Sequence, residues 1–130
     1  MQMILFKMNQ QNFMVSAESV EEVIDTVEIT GIPLAPKWVQ GLINLRGSVL
    51  TVIGLAELID LPPIKKKMNI LIMKNEDNRK GLLIDEVLKV IDIEKDQIQL
   101  ESTSDKKYYI GATTVEENVA SVIEINQLIF

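Results

Sequence analysis

The sequence predicts a mostly-β protein built as two small barrels with short helical turns. Apolar runs of about four to eight residues, rich in Val and Ile, recur along the chain and are separated by polar clusters. Sustained spacing of three and four, the mark of an amphipathic helix, is almost absent. The 130 residues suit one compact unit with two subdomains. About ten short strands with only scraps of helix close more readily as two small barrels than as one large sheet.

In chain order, Ile4, Phe6 and Met8 alternate with Leu5 and Lys7, and Asn9-Gln10-Gln11-Asn12 makes a polar turn before Phe13-Met14-Val15, which reads as a hairpin. Ser19-Val20-Glu21-Glu22 matches a helix capping box, whereas Val23, Val27 and Ile29 alternate with Ile24, Thr26 and Glu28 in strand fashion. A short turn of helix running into a strand satisfies both patterns. Gly31-Ile32-Pro33-Leu34-Ala35-Pro36 is a loop, because its prolines lack donors and force extended geometry on the residues before them. Lys37-Trp38-Val39-Gln40 is read as one helical turn that Gly41 breaks.

Leu42 to Arg46 and Val49 to Ile53 then bracket Gly47-Ser48, a two-residue signal for a tight hairpin. The second strand is apolar on both faces, as suits a barrel wall with a further layer packed outside. Leu55 to Leu61 has helical spacing and ends at Pro62-Pro63. The composition breaks at Ile64-Lys65-Lys66-Lys67, so residues 61–68 are the expected main connection between the subdomains of a single 1–130 domain. Taken alone, the lysine run reads as a solvated loop. Beyond it, Asn69 to Met73 and Gly81 to Ile84 flank the turn Asn75-Glu76-Asp77-Asn78, with short strands at Val87 to Ile93 and Ile98 to Leu100. Tyr108 to Val115 and Val119 to Ile125 pair across Glu116-Glu117-Asn118, and Asn126 to Phe130 opens a helix.

Composition narrows the chemistry. Thirteen Lys and Arg against nineteen Asp and Glu give a net charge of −6, a poor fit to a surface that must neutralise phosphates. With no His and no Cys, disulfides, thiolate and imidazole nucleophiles, the usual zinc ligands and the usual near-neutral base are missing. No cofactor and no catalysis are expected. Met1 to Lys7 lacks the basic flank and apolar run of a secretory signal. The least polar stretch, between Arg46 and Glu57, is about half the roughly 20 residues of a membrane helix, so no membrane insertion and a cytoplasmic location are expected.

Gly41 and Gly47 mimic the glycines of a phosphate-binding loop, but Ser48 stands where lysine is needed. The pairs Glu76-Asp77 and Glu116-Glu117 read as solvated turn residues rather than a metal site. An oligonucleotide-binding barrel needs a basic groove with stacking aromatics, and only Tyr108-Tyr109 sits beside cations, at Lys106-Lys107. The informative stretch is Gly41-Leu42-Ile43-Asn44-Leu45-Arg46-Gly47. An arginine beside a glycine hairpin is held on a rigid element, where its planar fork can meet a carboxylate.

The segment from Ile32-Pro33 through Trp38-Val39-Gln40-Gly41 to Asn44-Leu45-Arg46-Gly47 resembles the signature of CheW, the bacterial chemotaxis coupling family. The resemblance extends over nearly the whole chain and includes Phe13, Val20 to Ile24, Gly81 to Val87 and Tyr109-Ile110-Gly111. It implies two five-stranded β-barrels, SH3- or OB-like, around a shared core. It also implies a non-catalytic cytoplasmic adaptor, recruited to membrane receptor arrays, that bridges chemoreceptor tips to the regulatory domain of the histidine kinase CheA. A scaffold of another two-component pathway is the close variant. Carried over by position, Glu22 is the acidic partner of Arg46, and Val20, Glu22, Gly41, Asn44 and Arg46 lie on or support the receptor-binding surface. Residues contacting the kinase cannot be told from core strands. Two departures stand out: Gly54 replaces a family carboxylate, and the chain ends at Phe130 where relatives continue a helix.

Overall fold

The computed structural model describes residues 1–101 and 106–130. The chain runs through β1 (Gln2–Met8), β2 (Gln11–Ser16), a 3₁₀ turn (Ala17–Ser19), β3 (Val20–Asp25), β4 (Val39–Leu45), β5 (Ser48–Gly54) and α1 (Leu55–Leu58). It continues through β6 (Asn69–Asn75), β7 (Asn78–Ile84), β8 (Glu86–Asp92), a second 3₁₀ turn (Lys95–Gln97), β9 (Gln99–Leu100), β10 (Tyr109–Val115), β11 (Asn118–Ile123) and α2 (Asn126–Ile129). One sheet has six strands in the order β8-β1-β2-β11-β10-β9, and the other has five in the order β3-β6-β7-β5-β4.

The mostly-β, two-lobed architecture is thus present, as two rolled sheets. The sixth strand of the larger sheet is the two-residue β9, joined only to β10. Each sheet bends enough to bring distant parts of its strand order into contact, without closing edge to edge. Lys89 on edge strand β8 pairs with Glu116 in the β10–β11 turn. In the smaller sheet, Thr30, just past β3, exchanges backbone hydrogen bonds of 2.9 and 2.8 Å with Leu42 on β4.

Alternation explains the core. On β1, Ile4, Phe6 and Met8 join one cluster while Met3 and Leu5 face a second, so the strand is buried on both sides. The main cluster is shared by the two sheets: Phe6, Phe13 and Val15 from one meet Val52, Leu71 and Leu82 from the other. Ile70 to Met73 of β6 are fully buried, which is why their run lacks polar alternation. Phe6 stacks on Phe13 with centroids 5.8 Å apart. Phe6→Ala is therefore expected to lower unfolding free energy by about 3–5 kcal/mol, read as a fall in the denaturant midpoint at unchanged slope.

Several local expectations shift. The helical turn before β3 ends at Ser19, with the Ser16 hydroxyl accepting from the Glu18 amide at 3.3 Å, so Val20 already belongs to the strand. Lys37-Trp38 is a bend held by a 3.0 Å bond from the Val39 amide to the Pro36 carbonyl, not a helical turn, because β4 claims Val39 and Gln40. Residues 61–68 join α1 to β6, and β5 and β6 lie in the same sheet. The chain instead passes between sheets from β2 to β3 and from β7 to β8. α1 stops at Leu58, short of the expected Leu61, so Pro62-Pro63 and the lysines belong to the irregular loop that follows, whereas the true crossings are short and carry no shift in composition.

Candidate functional site

The two-residue turn between β4 and β5 is Arg46-Gly47, one position earlier than Gly47-Ser48, since Leu45 pairs with Ser48. Arg46 has φ 49° and Gly47 φ 87°, the pair of positive values that a tight twisted hairpin requires. Asn44 fixes the bend: its Oδ1 accepts from the Gly47 amide at 3.0 Å. Arg46 thus projects from the turn itself rather than from the end of a strand.

Its guanidinium donates to a carboxylate oxygen of Glu22 on β3. The hydrogen bond to Glu22 and its charge raise the Arg46 pKa further above its already high ordinary value. Arg46 nevertheless keeps 64% of its side-chain surface exposed, against 30% for Glu22. One edge of the fork is anchored while other N–H donors point to solvent.

β3 and β4 are opposite ends of the strand order, so the pair exists only because the sheet rolls. A bulge between Val20 and Glu22 increases the local bend. It also leaves Glu21 outside the ladder, where it accepts from Arg79 of β7 at 3.3 Å. Arg79 reaches the Ser48 hydroxyl at 3.4 Å as well. Two carboxylates and two guanidiniums therefore tie β3, β7 and the β4–β5 hairpin together. Nothing in the spacing of Arg79 points to this, and Glu21-Glu22 reads in the sequence as part of a helix capping box rather than as a bulge.

The five residues carried over from the family signature divide into two groups. Arg46, Asn44 and Glu22 come together at the hairpin. Val20 is 9% exposed and packs in the main core, so it lies beneath the surface. Gly41 is buried, has φ 146°, and lies where a Cβ would be 2.1 Å from the Thr30 carbonyl oxygen. Its place is to let β4 approach the segment at Thr30, which forms an isolated bridge to Leu42. Val49, which pairs with Asn44 across the hairpin, is 64% exposed and places an apolar side chain beside Arg46 that the family signature does not single out.

Gly54 has a steric explanation. A Cβ there would lie 2.1 Å from Glu57 Oε2 and 2.7 Å from Gln40 Nε2, so side chains from α1 and β4 fill the space above it. A carboxylate is thus present beside this position, supplied by Glu57. Gly54→Ala should cost under about 1 kcal/mol, because flexible side-chain ends can move aside. Gly54→Asp should cost more through like-charge repulsion and recover when combined with Glu57→Ala, as thermal unfolding of the variants will check.

Tyr108 is half-buried and packs against the main core. Among the described residues no group of three or more acidic, His or Cys side chains is placed to hold a metal ion. No described helix is long and apolar enough to cross a membrane.

The family model for the CheW-like domain matches residues 2–129. The chain belongs to the CheW-like family. It is 29% identical over 131 residues to the chemotaxis protein CheW of Thermotoga maritima, covering 98% of this chain and 87% of that protein. The CheW of Bacillus subtilis is 30% identical over 99 residues, covering 75% of this chain and 64% of that protein. The crystal structure of the scaffolding protein TtCheW from Thermoanaerobacter tengcongensis superposes with a TM-score of 0.86 at 26% identity, over 98% of this chain and 86% of that one.

Proposed function

We propose that this chain is a non-catalytic chemotaxis adaptor that bridges the cytoplasmic tips of chemoreceptors to the regulatory domain of the histidine kinase CheA. It works in the cytoplasm, drawn to membrane receptor arrays through the receptors and without inserting into the bilayer. The observation that supports this most is Arg46, anchored by Glu22 and still largely exposed at the tip of a rigid hairpin. An arginine positioned in advance loses little side-chain entropy on contact, so its charge and fork serve recognition rather than folding. Asn44 and Val49 beside it give the polar and apolar parts of one contact patch. Val20 and Gly41 support that patch from below.

The test is co-purification of the full chain with the regulatory domain of the cognate CheA and with a receptor signalling fragment. Retention on both, with receptor retention falling steeply as salt is raised, is the expected result. Retention on neither partner defeats the reading. Retention on a regulatory domain of a different kinase alone shifts it to a scaffold of another two-component pathway.

A further inference from the structure

The lysine run that begins at Lys65 borders a second feature. Lys7 of β1, Lys65 and Lys66 of the loop before β6, and Asp85 and Glu86 at the β7–β8 crossing line a cleft of about 430 Å³. None of Val20, Glu22, Gly41, Asn44 or Arg46 lines it. Asp85 is 7% exposed. Its Oδ2 accepts from the Asn9 amide at 2.7 Å, but its Oδ1 is buried with no hydrogen-bond partner. Lys7, Lys65 and Lys66 form no ion pair among the described residues.

An unpartnered buried carboxylate oxygen is costly, and a donor delivered to it recovers that cost. Three lysines around the mouth disfavour a cationic donor and favour an anion. Asp85 and Glu86 inside the same cleft in turn repel a dense polyanion such as a nucleic-acid backbone, as does the net charge of −6. A ligand that meets all these conditions carries a few separated carboxylates and a neutral N–H donor between them.

We propose that this cleft docks a short acidic segment of a protein partner, whose carboxylates meet Lys7, Lys65 and Lys66 and whose side-chain amide donates to Asp85 Oδ1. The inference stands apart from the adaptor reading, since it uses different residues and needs neither receptor nor kinase.

The experiment titrates the full-length protein with a fluorescein-labelled peptide of alternating Glu and Asn at about 50 mM salt, where screening is weak. A matched peptide of alternating Glu and Ala, single-stranded DNA and anionic phospholipid vesicles are run in parallel. Saturable binding of the Glu/Asn peptide, at least about tenfold weaker for the Lys65→Glu/Lys66→Glu variant, is expected. The Glu/Ala peptide should bind more weakly than the Glu/Asn one. Asp85→Asn keeps an oxygen for the Asn9 amide and turns an NH₂ toward the cleft, so it should erase the difference between the two peptides. Because the lysine variant changes only exposed side chains, the test survives if Asp85→Asn does not fold. Absence of binding, equal affinity for the lysine variant, no preference for Asn over Ala, or tighter binding of DNA or vesicles each overturns the proposal.

Discussion

Arg46→Glu is expected to lower affinity for a receptor signalling fragment by at least about thirtyfold while moving the thermal midpoint by no more than a few degrees. The reversal removes the fork and places a third carboxylate beside Glu21 and Glu22. At an exposed hairpin tip that repulsion is screened by water and salt, so folding is little affected. A partner docking on the tip excludes that water, and there the wrong sign is expensive. Arg46→Gly separates the two effects more sharply. At φ 49° glycine is at least as comfortable as arginine, so stability should hold or rise while coupling is lost. Equilibrium binding with differential scanning fluorimetry on both variants decides it. Normal coupling by either one would remove Arg46 from the contact surface.

The sequence made the architecture legible wherever local chemistry settles the conformation. Val- and Ile-rich runs became strands, and polar pairs such as Asn9-Gln10 and Glu76-Asp77 became the two-residue links between them. The hairpin was visible, but its register was off by one, because a glycine can occupy either central position and only the pairing of Leu45 with Ser48 fixes which. The crossing between lobes was misplaced. A composition break at the lysines is conspicuous, whereas the link from Ile84 through Asp85 to Glu86 is too short to alter composition.

At the candidate site, the family signature supplied Glu22 and Arg46 as partners, and the ion pair is formed. The contribution of Arg79 was hidden, since it depends on rolling the sheet until β7, β3 and the hairpin converge. Long-range closure of this kind is set by the sum of twist and bulges, and no window of the sequence contains it.

Gly41→Ala should be the most destabilising of the changes at the carried-over positions, costing about 3 kcal/mol or more, because two penalties act together. At φ 146° an L side chain is strained, and its Cβ would sit 2.1 Å from the Thr30 carbonyl oxygen and 2.7 Å from the Thr30 carbon. Both neighbours are backbone, and they cannot move without breaking the paired bonds between Thr30 and Leu42, which link the segment after β3 to β4. Loss of that bridge would loosen the approach of Glu22 to Arg46, so receptor binding should fall as well. The two positions therefore predict opposite signatures. For Gly41→Ala, the denaturant midpoint drops, and binding normalised to the folded fraction falls much less than for Arg46→Glu. An unmoved midpoint would refute the close-packing role of Gly41. Wild-type stability combined with a full loss of binding would place Gly41 on the contact surface itself instead of beneath it.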